Sequence, residues 1–216
     1  EEGDESVDIV HRSIPNKPGT QHLEVYWDAN DSNSYSFADS SNVYDLSGNG
    51  ATGTLNGVGY DAEYNAFTFD GVDDHITASI TTGSGAWAHS VAAWAKIDPT
   101  TSGQTISFFG PEFTPGQSSG IRFETVTNGR VIRWFFWNND VLFHAPIANS
   151  GDFVHVVATY DGGSDSGVSN NGYGLARKVY INGEECTVES SSGAGSLNLS
   201  STSNTLYVGR RVTQIE

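Results

Sequence analysis

In residues 121–137, IRFETVTNGRVIRWFFW, a run of alternating apolar and polar side chains precedes an Asn-Gly pair, and a run rich in β-branched and aromatic residues follows it. Both runs are typical of β-strands, and Asn128-Gly129 between them predicts a hairpin closed by a two-residue type I′ turn. The turn predicts the pairs Thr127–Arg130, Val126–Val131, Thr125–Ile132, Glu124–Arg133, Phe123–Trp134, Arg122–Phe135 and Ile121–Phe136. Antiparallel strands are therefore expected around this stretch.

Paired residues share a side of the sheet, so this hairpin has two predicted faces. The face expected to point into a core consists of Ile121, Phe123, Thr125, Ile132, Trp134 and Phe136. The opposite face consists of Arg122, Glu124, Val126, Val131, Arg133, Phe135 and Trp137. The second face mixes aromatic rings with charged groups, a combination that marks binding surfaces when it is exposed.

A second Asn-Gly pair, Asn182-Gly183, predicts another hairpin of the same kind. Its predicted pairs are Ile181–Glu184, Tyr180–Glu185, Val179–Cys186 and Lys178–Thr187. Val179, Ile181, Cys186 and Val188 then face the core, while Tyr180, Lys178 and Glu185 face water. The single cysteine, Cys186, is accordingly interpreted as a small buried hydrophobic side chain and not as a nucleophile.

Strand patterns recur along the chain with almost no helical periodicity between them. The candidate strands are Leu23–Trp27, Ala66–Phe69, His75–Ile80, Ser90–Ile97, Thr105–Phe109, Gly120–Thr127, Arg130–Trp137, Val141–His144, Phe153–Tyr160, Arg177–Ile181, Glu185–Val188 and Thr205–Val208. Glycine, asparagine, serine and aspartate clusters separate them, as in Ser47–Gly50. Strands without intervening helices predict an all-β, antiparallel sandwich or barrel.

The composition narrows the classes of partner. The chain has 216 residues and a net charge of −16, so nucleic acid and anionic lipid are excluded as primary partners. No apolar run is long enough to span a bilayer, which excludes membrane insertion by a helix. With one cysteine, no intrachain disulfide can form, and the fold depends on packing. Two interpretations of the acidity stay open: solubility in a salty medium, and cation binding by loop carboxylates.

Residues 1–20 differ from the rest and are interpreted as an acidic N-terminal arm and linker, followed by one β-sandwich over residues 21–216. Within the arm, Val7–Ile14 has the pattern of an added strand, although a loose arm fits as well. The chain begins with Glu1 and contains no methionine, which indicates a processed or truncated piece.

Six segments together resemble laminin G-like jelly-roll domains of the concanavalin A-like lectin type. They are Tyr44–Gly50, Phe69–Ile76, Ser90–Lys96, Phe153–Gly162, Lys178–Gly183 and Leu206–Arg210, in the family's order and spread over about Leu23 to Arg211. The resemblance implies two curved antiparallel sheets with rim loops. It also implies an extracellular or virion-surface location, since similar domains occur in marine viral and bacterial surface proteins. Because this fold carries lectins, structural modules and glycosidases alike, it implies no single function.

The sequence departs from the family after Arg210. Family members continue into a further GxIDEVRIY strand that pairs beside the N-terminal strand, and here the chain stops at Glu216. An open sheet edge is a liability in solution. Three explanations stay open: truncation, an added strand from Val7–Ile14, or a strand supplied by a neighbouring subunit.

A catalytic role is not expected. Sandwich glycosidases of this superfamily carry an ExDxE strand that sets alternate carboxylates against the substrate. No ExDxE occurs here, and the nearest cluster, Glu184, Glu185 and Glu189, surrounds a hairpin turn. His155 is interpreted as a packed or hydrogen-bonded residue of its strand. The chain is therefore predicted to bind or to build.

Calcium is the one cofactor that the sequence suggests. Asp70, Asp73 and Asp74 lie close together, and hard cations prefer such oxygens. The alternative, which we favour, is that these aspartates shape a tight turn through Asx hydrogen bonds. Arg210 and Arg211 stand where pentraxins place further calcium ligands, which argues against a site of that type.

The predicted ligand-binding residues are Arg122, Glu124, Arg133, Phe135 and Trp137. Aromatic platforms combined with planar hydrogen-bonding groups suit sugars, so the expected function is a non-catalytic recognition or attachment module for surface glycan. The alternatives are a decoration or cementing domain of a virion or cell-surface assembly, where the same patch contacts protein, and an accessory domain of a glycosidase. A loop, the N-terminal arm or a neighbouring subunit could equally cover the patch.

Overall fold

The fold is taken from a computed structural model of the chain, which describes residues 22–98, 102–111, 116–127, 129–136, 139–145, 152–165, 176–192 and 195–209. The strands are β1 Asn42–Val43, β2 Gly53–Asn56, β3 Gly59–Asp61, β4 Ala66–Thr68, β5 His75–Thr81, β6 His89–Lys96, β7 Gln104–Phe109, β8 Ser119–Val126, β9 Gly129–Phe135, β10 Asp140–His144, β11 Phe153–Tyr160, β12 Arg177–Ile181, β13 Glu184–Glu185, β14 Val188–Ser192 and β15 Ser203–Gly209. The described residues contain no helix.

The strands form two main antiparallel sheets and one small hairpin. The large sheet has nine strands in the order β1-β2-β5-β15-β7-β8-β9-β10-β14. The small sheet has four, in the order β13-β12-β11-β6, and β3 pairs with β4 separately. The predicted all-β class and the two-sheet antiparallel sandwich are thereby confirmed. The arm at residues 1–20 and its Val7–Ile14 segment lie outside the described residues.

The hydrophobic core fills the space between the two main sheets. The large sheet contributes Phe123, Ile132, Trp134, Phe136 and Phe143, while the small sheet contributes Val154, Val156, Ala158, Val179 and Ile181. In β11 the burial alternates strictly, with Val154, Val156, Ala158 and Tyr160 inward. This alternation sends every second side chain of the small sheet outward to solvent, which sets up the surfaces described below.

The hairpin of β8 and β9 buries five of its six predicted core residues but has a different register, and Thr125, the sixth, is exposed. Val126 pairs with Gly129 and Arg122 pairs with Arg133, so the predicted pairing of Glu124 with Arg133 and of Arg122 with Phe135 is wrong by two residues. A shift of two preserves the alternation, which is why Trp134 is still buried as predicted. The observed register sets Phe135 opposite Gly120. A Cβ at Gly120 would overlap the Phe135 ring, so the glycine makes room for the ring across the strands.

The β12–β13 hairpin turns at Asn182-Gly183 as predicted. Both turn residues have positive φ, 50° and 87°, the conformation that a type I′ turn requires. Tyr180 pairs with Glu185, and the Cys186 N–H donates to the Val179 carbonyl. The predicted Lys178–Thr187 pair is wrong, because the Thr187 carbonyl instead accepts from the His144 N–H in the large sheet. The chain crosses between sheets here, so Glu185–Val188 is not one strand.

Leu23–Trp27 does not form a strand, contrary to prediction. Its backbone is hydrogen-bonded to a loop: the Tyr26 N–H donates to Asp45 Oδ1, and the Leu46 N–H donates to the Tyr26 carbonyl. The Trp27 indole N–H also donates to the Ala51 carbonyl. Side-chain and loop contacts therefore hold this segment, in place of the strand pairing that was predicted.

A buried ion pair connects the sheets at one end of the sandwich. Arg177 donates from Nε to Asp165 Oδ2 at 2.7 Å, and from Nη1 to the Trp134 carbonyl at 2.8 Å. The guanidinium also lies 4.2 Å from the centre of the Phe136 ring. Burial lowers the pKa of Arg177 against the attraction of Asp165. Removing either partner would leave a buried charge, so this contact fixes β12 against β9.

Candidate functional site

The charged residues predicted to bind ligand lie on the outer face of the large sheet. We call Arg122, Glu124, Arg133 and Asp140, on β8, β9 and β10, the charged patch. Arg133 donates to Glu124 Oε2 at 2.7 Å and to Asp140 Oδ2 at 2.8 Å. Arg122 forms a further ion pair with Glu124. Burial alone would lower the pKa of Arg133, but its hydrogen bonds to the two carboxylates raise it.

The side chains of the charged patch are less exposed to solvent than the sequence predicted. Its four side chains are between 12% and 25% exposed, and Phe135 is only 9% exposed. Two of the predicted ligand residues, Glu124 and Phe135, are therefore less open to a ligand than expected. Phe135 is covered because its ring lies over Gly120 and stacks 6.0 Å from Phe108.

Two further contacts define the edge of the charged patch. The Arg122 guanidinium lies 5.4 Å from the Phe135 ring centre, within cation–π range. Asp140 Oδ1 is buried and has no hydrogen-bond partner among the described residues. Trp137, the remaining predicted ligand residue, lies outside the described residues. The patch is thus a pre-organised polar surface with one acceptor still to be satisfied.

The outer face of the small sheet carries a line of partly or largely exposed aromatic side chains that the sequence did not predict as a site. We call Trp94, His155, Lys96, Phe153 and Tyr64 the aromatic strip. Trp94 pairs with His155 across β6 and β11, and Lys96 pairs with Phe153 two residues further along. The Trp94 and His155 rings lie 5.0 Å apart at an angle of 30°. Trp94 is 68% exposed.

Tyr64 extends the aromatic strip from a neighbouring turn. It lies in the β3–β4 connection, where Asp61 Oδ1 accepts from the N–H groups of Glu63 and Tyr64. Its ring is 5.6 Å from that of Phe153, and the Lys96 ammonium lies 4.3 Å from its centre. The strip therefore alternates ring, cation and ring along one solvent-facing surface.

The position of the aromatic strip could have been found from the sequence. In β11 the run Val154, Val156, Ala158 is apolar and predicts an inward face, which sends His155 outward. In β6, Ser90, Ala92, Trp94 and Lys96 alternate with Val91, Ala93 and Ala95, and the pattern is less distinct because alanine fits either face. Only the pairing of the two strands brings the outward Trp94 onto His155.

The acidic loop Asp70-Gly71-Val72-Asp73-Asp74 forms the turn predicted for it. The Asp70 carboxylate accepts from the N–H groups of Val72, Asp73 and Asp74, and Asp74 Oδ2 accepts from the Asp70 N–H. The bond from Val72 is the main reason that the pKa of Asp70 is lowered.

The same loop fits the chemistry of a hard cation in part. One carboxylate oxygen from each of Asp70, Asp73 and Asp74 lies within 4.8 Å of the other two, so the three could ligate one ion. Carboxylate oxygens suit calcium, but the turn already engages oxygens of Asp70 and Asp74, so the Asx hydrogen bonds account for the cluster without an ion. Calcium binding here stays a prediction, and Arg210 and Arg211 lie outside the described residues.

A line of hydrogen-bonded polar side chains crosses the interior between the two sheets. The Trp134 indole N–H donates to Ser119 Oγ at 3.0 Å, and Ser119 lies 3.2 Å from His89 Nε2. His89 Nδ1 lies 2.9 Å from the Trp87 carbonyl, which can only accept. The proton is therefore on Nδ1, and Ser119 donates to Nε2. Burial lowers the pKa of His89 to about 4, so the ring is neutral at pH 7.

Cys186 is half-buried against the core, which agrees with its interpretation as a small hydrophobic side chain. Burial raises the pKa of its thiol to about 11, so the thiolate is scarce at neutral pH. The carboxylates nearest to it, Glu184 and Glu185, are exposed on β13, and Glu185 forms an exposed ion pair with Lys178 at 3.3 Å.

Comparison with known proteins places the fold. A laminin G-type family model, described as the concanavalin A-like lectin/glucanases superfamily, matches residues 69–215. The chain belongs to this superfamily. Searches of the curated proteins and of the solved structures gave no match. A search of the described residues found no helix with the length and apolarity needed to cross a bilayer.

Membership of the concanavalin A-like lectin/glucanase superfamily favours carbohydrate binding or a structural role at the coarse level. Because the superfamily includes both binding modules and hydrolases, the fold alone does not choose between them. The choice depends on which surfaces offer a ligand the right chemistry, and the charged patch and the aromatic strip are the two surfaces to weigh.

Proposed function

We propose that the chain is a non-catalytic recognition module that binds surface glycan through the aromatic strip. The observation that carries this proposal is Trp94, a 68% exposed indole backed by the ring of His155 on the outer face of the small sheet. An extracellular or cell-surface setting follows from such a ligand and belongs to the same proposal.

The chemistry of the aromatic strip suits sugar rings. The C–H faces of pyranoses are apolar, and they pack against aromatic rings that offer a broad surface held in one orientation. The pairing with His155 limits the motion of Trp94, so less side-chain entropy is lost when a ligand binds. Phe153 and Tyr64 continue the surface in one direction, which provides room for more than one sugar unit.

A second candidate function is a structural one, in which the chain decorates or cements an assembly and the charged patch contacts a protein neighbour. The observation that favours it is the line of ion pairs from Arg122 through Glu124 and Arg133 to Asp140, whose side chains keep 12% to 25% of their surface exposed. These groups would offer both signs of charge to the polar groups of a protein neighbour. The sequence predicts Phe135 and Trp137 on the same face.

A glycan array followed by calorimetry on the best ligand tests the proposed function. Trp94→Ala should abolish binding, since the stacking surface is lost. Phe37→Ala is the matched control, because Phe37 is 72% exposed and its ring contacts Tyr35 and Tyr60, neither of which belongs to the strip. Binding that survives Trp94→Ala and disappears in Arg133→Ala would move the site to the charged patch. No glycan binding together with self-assembly would favour the structural function, and release of sugar products by the chain would contradict a non-catalytic role.

A further inference from the structure

Lys96 has no carboxylate within ion-pair distance among the described residues. Arg122, Arg133, Arg177 and Lys178 each pair with an acid. Lys96 contacts the Tyr64 ring instead, at 4.3 Å. In a chain with 26 acidic and 10 basic residues, an acid partner would be easy to supply. The aromatic strip therefore presents a cation whose counter-charge is not provided from within the described fold.

Lys96 and Trp94 would meet a ligand together. They are two residues apart on the outward face of β6, so their Cα atoms are about 7 Å apart. A ligand seated on Trp94 would remove water from the Lys96 ammonium as well. Desolvating a charge without pairing it is costly, and the Tyr64 ring offsets only part of that cost.

From these observations, and resting on the proposed function, we infer that the ligand is an acidic polysaccharide segment, with a sugar ring against Trp94 and a carboxylate or sulfate group against Lys96. The attraction is local, because a net charge of −16 repels a polyanion at long range. The other lysine on this face, Lys178, is already paired with Glu185 at 3.3 Å and offers no equivalent position.

Two matched pairs of polymers separate the sources of negative charge. Polygalacturonate against its methyl ester tests the carboxylate, and dextran sulfate against dextran tests the sulfate. Calorimetry is run with EDTA present, so that calcium at Asp70, Asp73 and Asp74 cannot bridge protein and polymer. Poly-L-glutamate, which has charge but no sugar ring, is the third arm.

The expected result is binding of at least one acidic polysaccharide and weaker binding of its neutral partner. Lys96→Ala should lower affinity for the acidic polymer about tenfold, the size of one charge-assisted hydrogen bond. Lys96→Arg should retain most of the binding because it keeps the charge. Lys178→Ala should change it less than about twofold, since that lysine is exposed and already paired. Unchanged thermal unfolding of all three variants confirms that the fold is intact.

Each contrary outcome has a distinct meaning. Equal binding of acidic and neutral polymers, unaffected by Lys96→Ala, overturns the acidic ligand and leaves the proposed function standing. Poly-L-glutamate that binds as tightly as the acidic polysaccharide overturns it as well, because charge alone would then suffice. Failure to bind any polymer or any glycan overturns both the acidic ligand and the proposed function.

Discussion

The outer face of the large sheet holds its charges in a chain of ion pairs, Arg122 to Glu124 to Arg133 to Asp140, with side chains at most 25% exposed. The outer face of the small sheet leaves Trp94 68% exposed and gives Lys96 no described acid partner. Both faces combine aromatic rings with charge. In the first the charged groups pair with one another, apart from the buried Asp140 Oδ1, whereas in the second the exposed groups are available to a ligand.

This difference separates groups that stabilise the fold from groups that can bind. A residue whose contacts are complete within the protein should cost stability when it is removed, and an exposed residue should not. Substitutions on the outer face of the large sheet should therefore lower the free energy of unfolding. Substitutions on the outer face of the small sheet should lower ligand affinity and leave stability nearly unchanged.

The largest contrast is expected between the two aromatic anchors. Phe135→Ala removes a ring packed on Gly120 and Phe108 and should lower the free energy of unfolding by about 3 kcal/mol. Trp94→Ala removes a ring that is mostly in water and should change it by less than about 0.5 kcal/mol. Urea unfolding followed by circular dichroism measures both. Comparable losses in the two variants would mean that the strip is part of the fold and not a binding surface.

Because His89 is buried between the two sheets, the free energy of unfolding should depend on pH. Its pKa is lowered from 6.5 to about 4 in the folded chain, so the unfolded chain binds the proton more readily. The stabilisation that the buried, neutral His89 ring gives is fully present above pH 6.5 and is lost as the pH falls towards 4. At pH 4 the loss should reach about 3 kcal/mol.

The His89 contribution is isolated by comparing the wild type with His89→Gln, which cannot titrate in this range. Carboxylates also lose stability on acidification, so the quantity of interest is the difference between the two slopes of unfolding free energy between pH 4 and 6.5. Identical slopes would show that the histidine is accessible to protons in the folded state, and that the chain from Trp134 through Ser119 to His89 is not closed.

The sequence predicted the sheet faces better than it predicted the pairing. Burial of Ile132, Trp134 and Phe136 follows from alternation alone, and any register shift of two leaves it unchanged. The register itself depends on Phe135 settling over Gly120, a cross-strand contact that no local pattern contains. At Asn182-Gly183 the turn and the pairing agree, so the prediction there was right up to Glu185.

The candidate site was predicted less well for a related reason. Arg122 and Arg133 were expected to be open to ligand because they alternate with core residues. Alternation says which side of a sheet a side chain occupies and nothing about what covers that side. Trp94 was missed because its strand is rich in alanine, and its role depends on the neighbouring His155, 61 positions further along the chain.

The smallest of the three effects concerns the ion pairs of the two faces. Glu124→Gln keeps the shape of the side chain but leaves Arg122 and Arg133 with less negative charge in a partly buried setting, and unfolding should become easier by about 2 kcal/mol. Glu185→Gln, on the small sheet, weakens an ion pair whose side chains are both about half exposed, and its unfolding midpoint should be indistinguishable from the wild type.

The pair of variants is informative because both changes replace one glutamate by glutamine beside an existing cation. If Glu185→Gln proved as costly as Glu124→Gln, exposure would not govern the strength of these contacts, and the distinction between a closed and an open face would lose its physical basis.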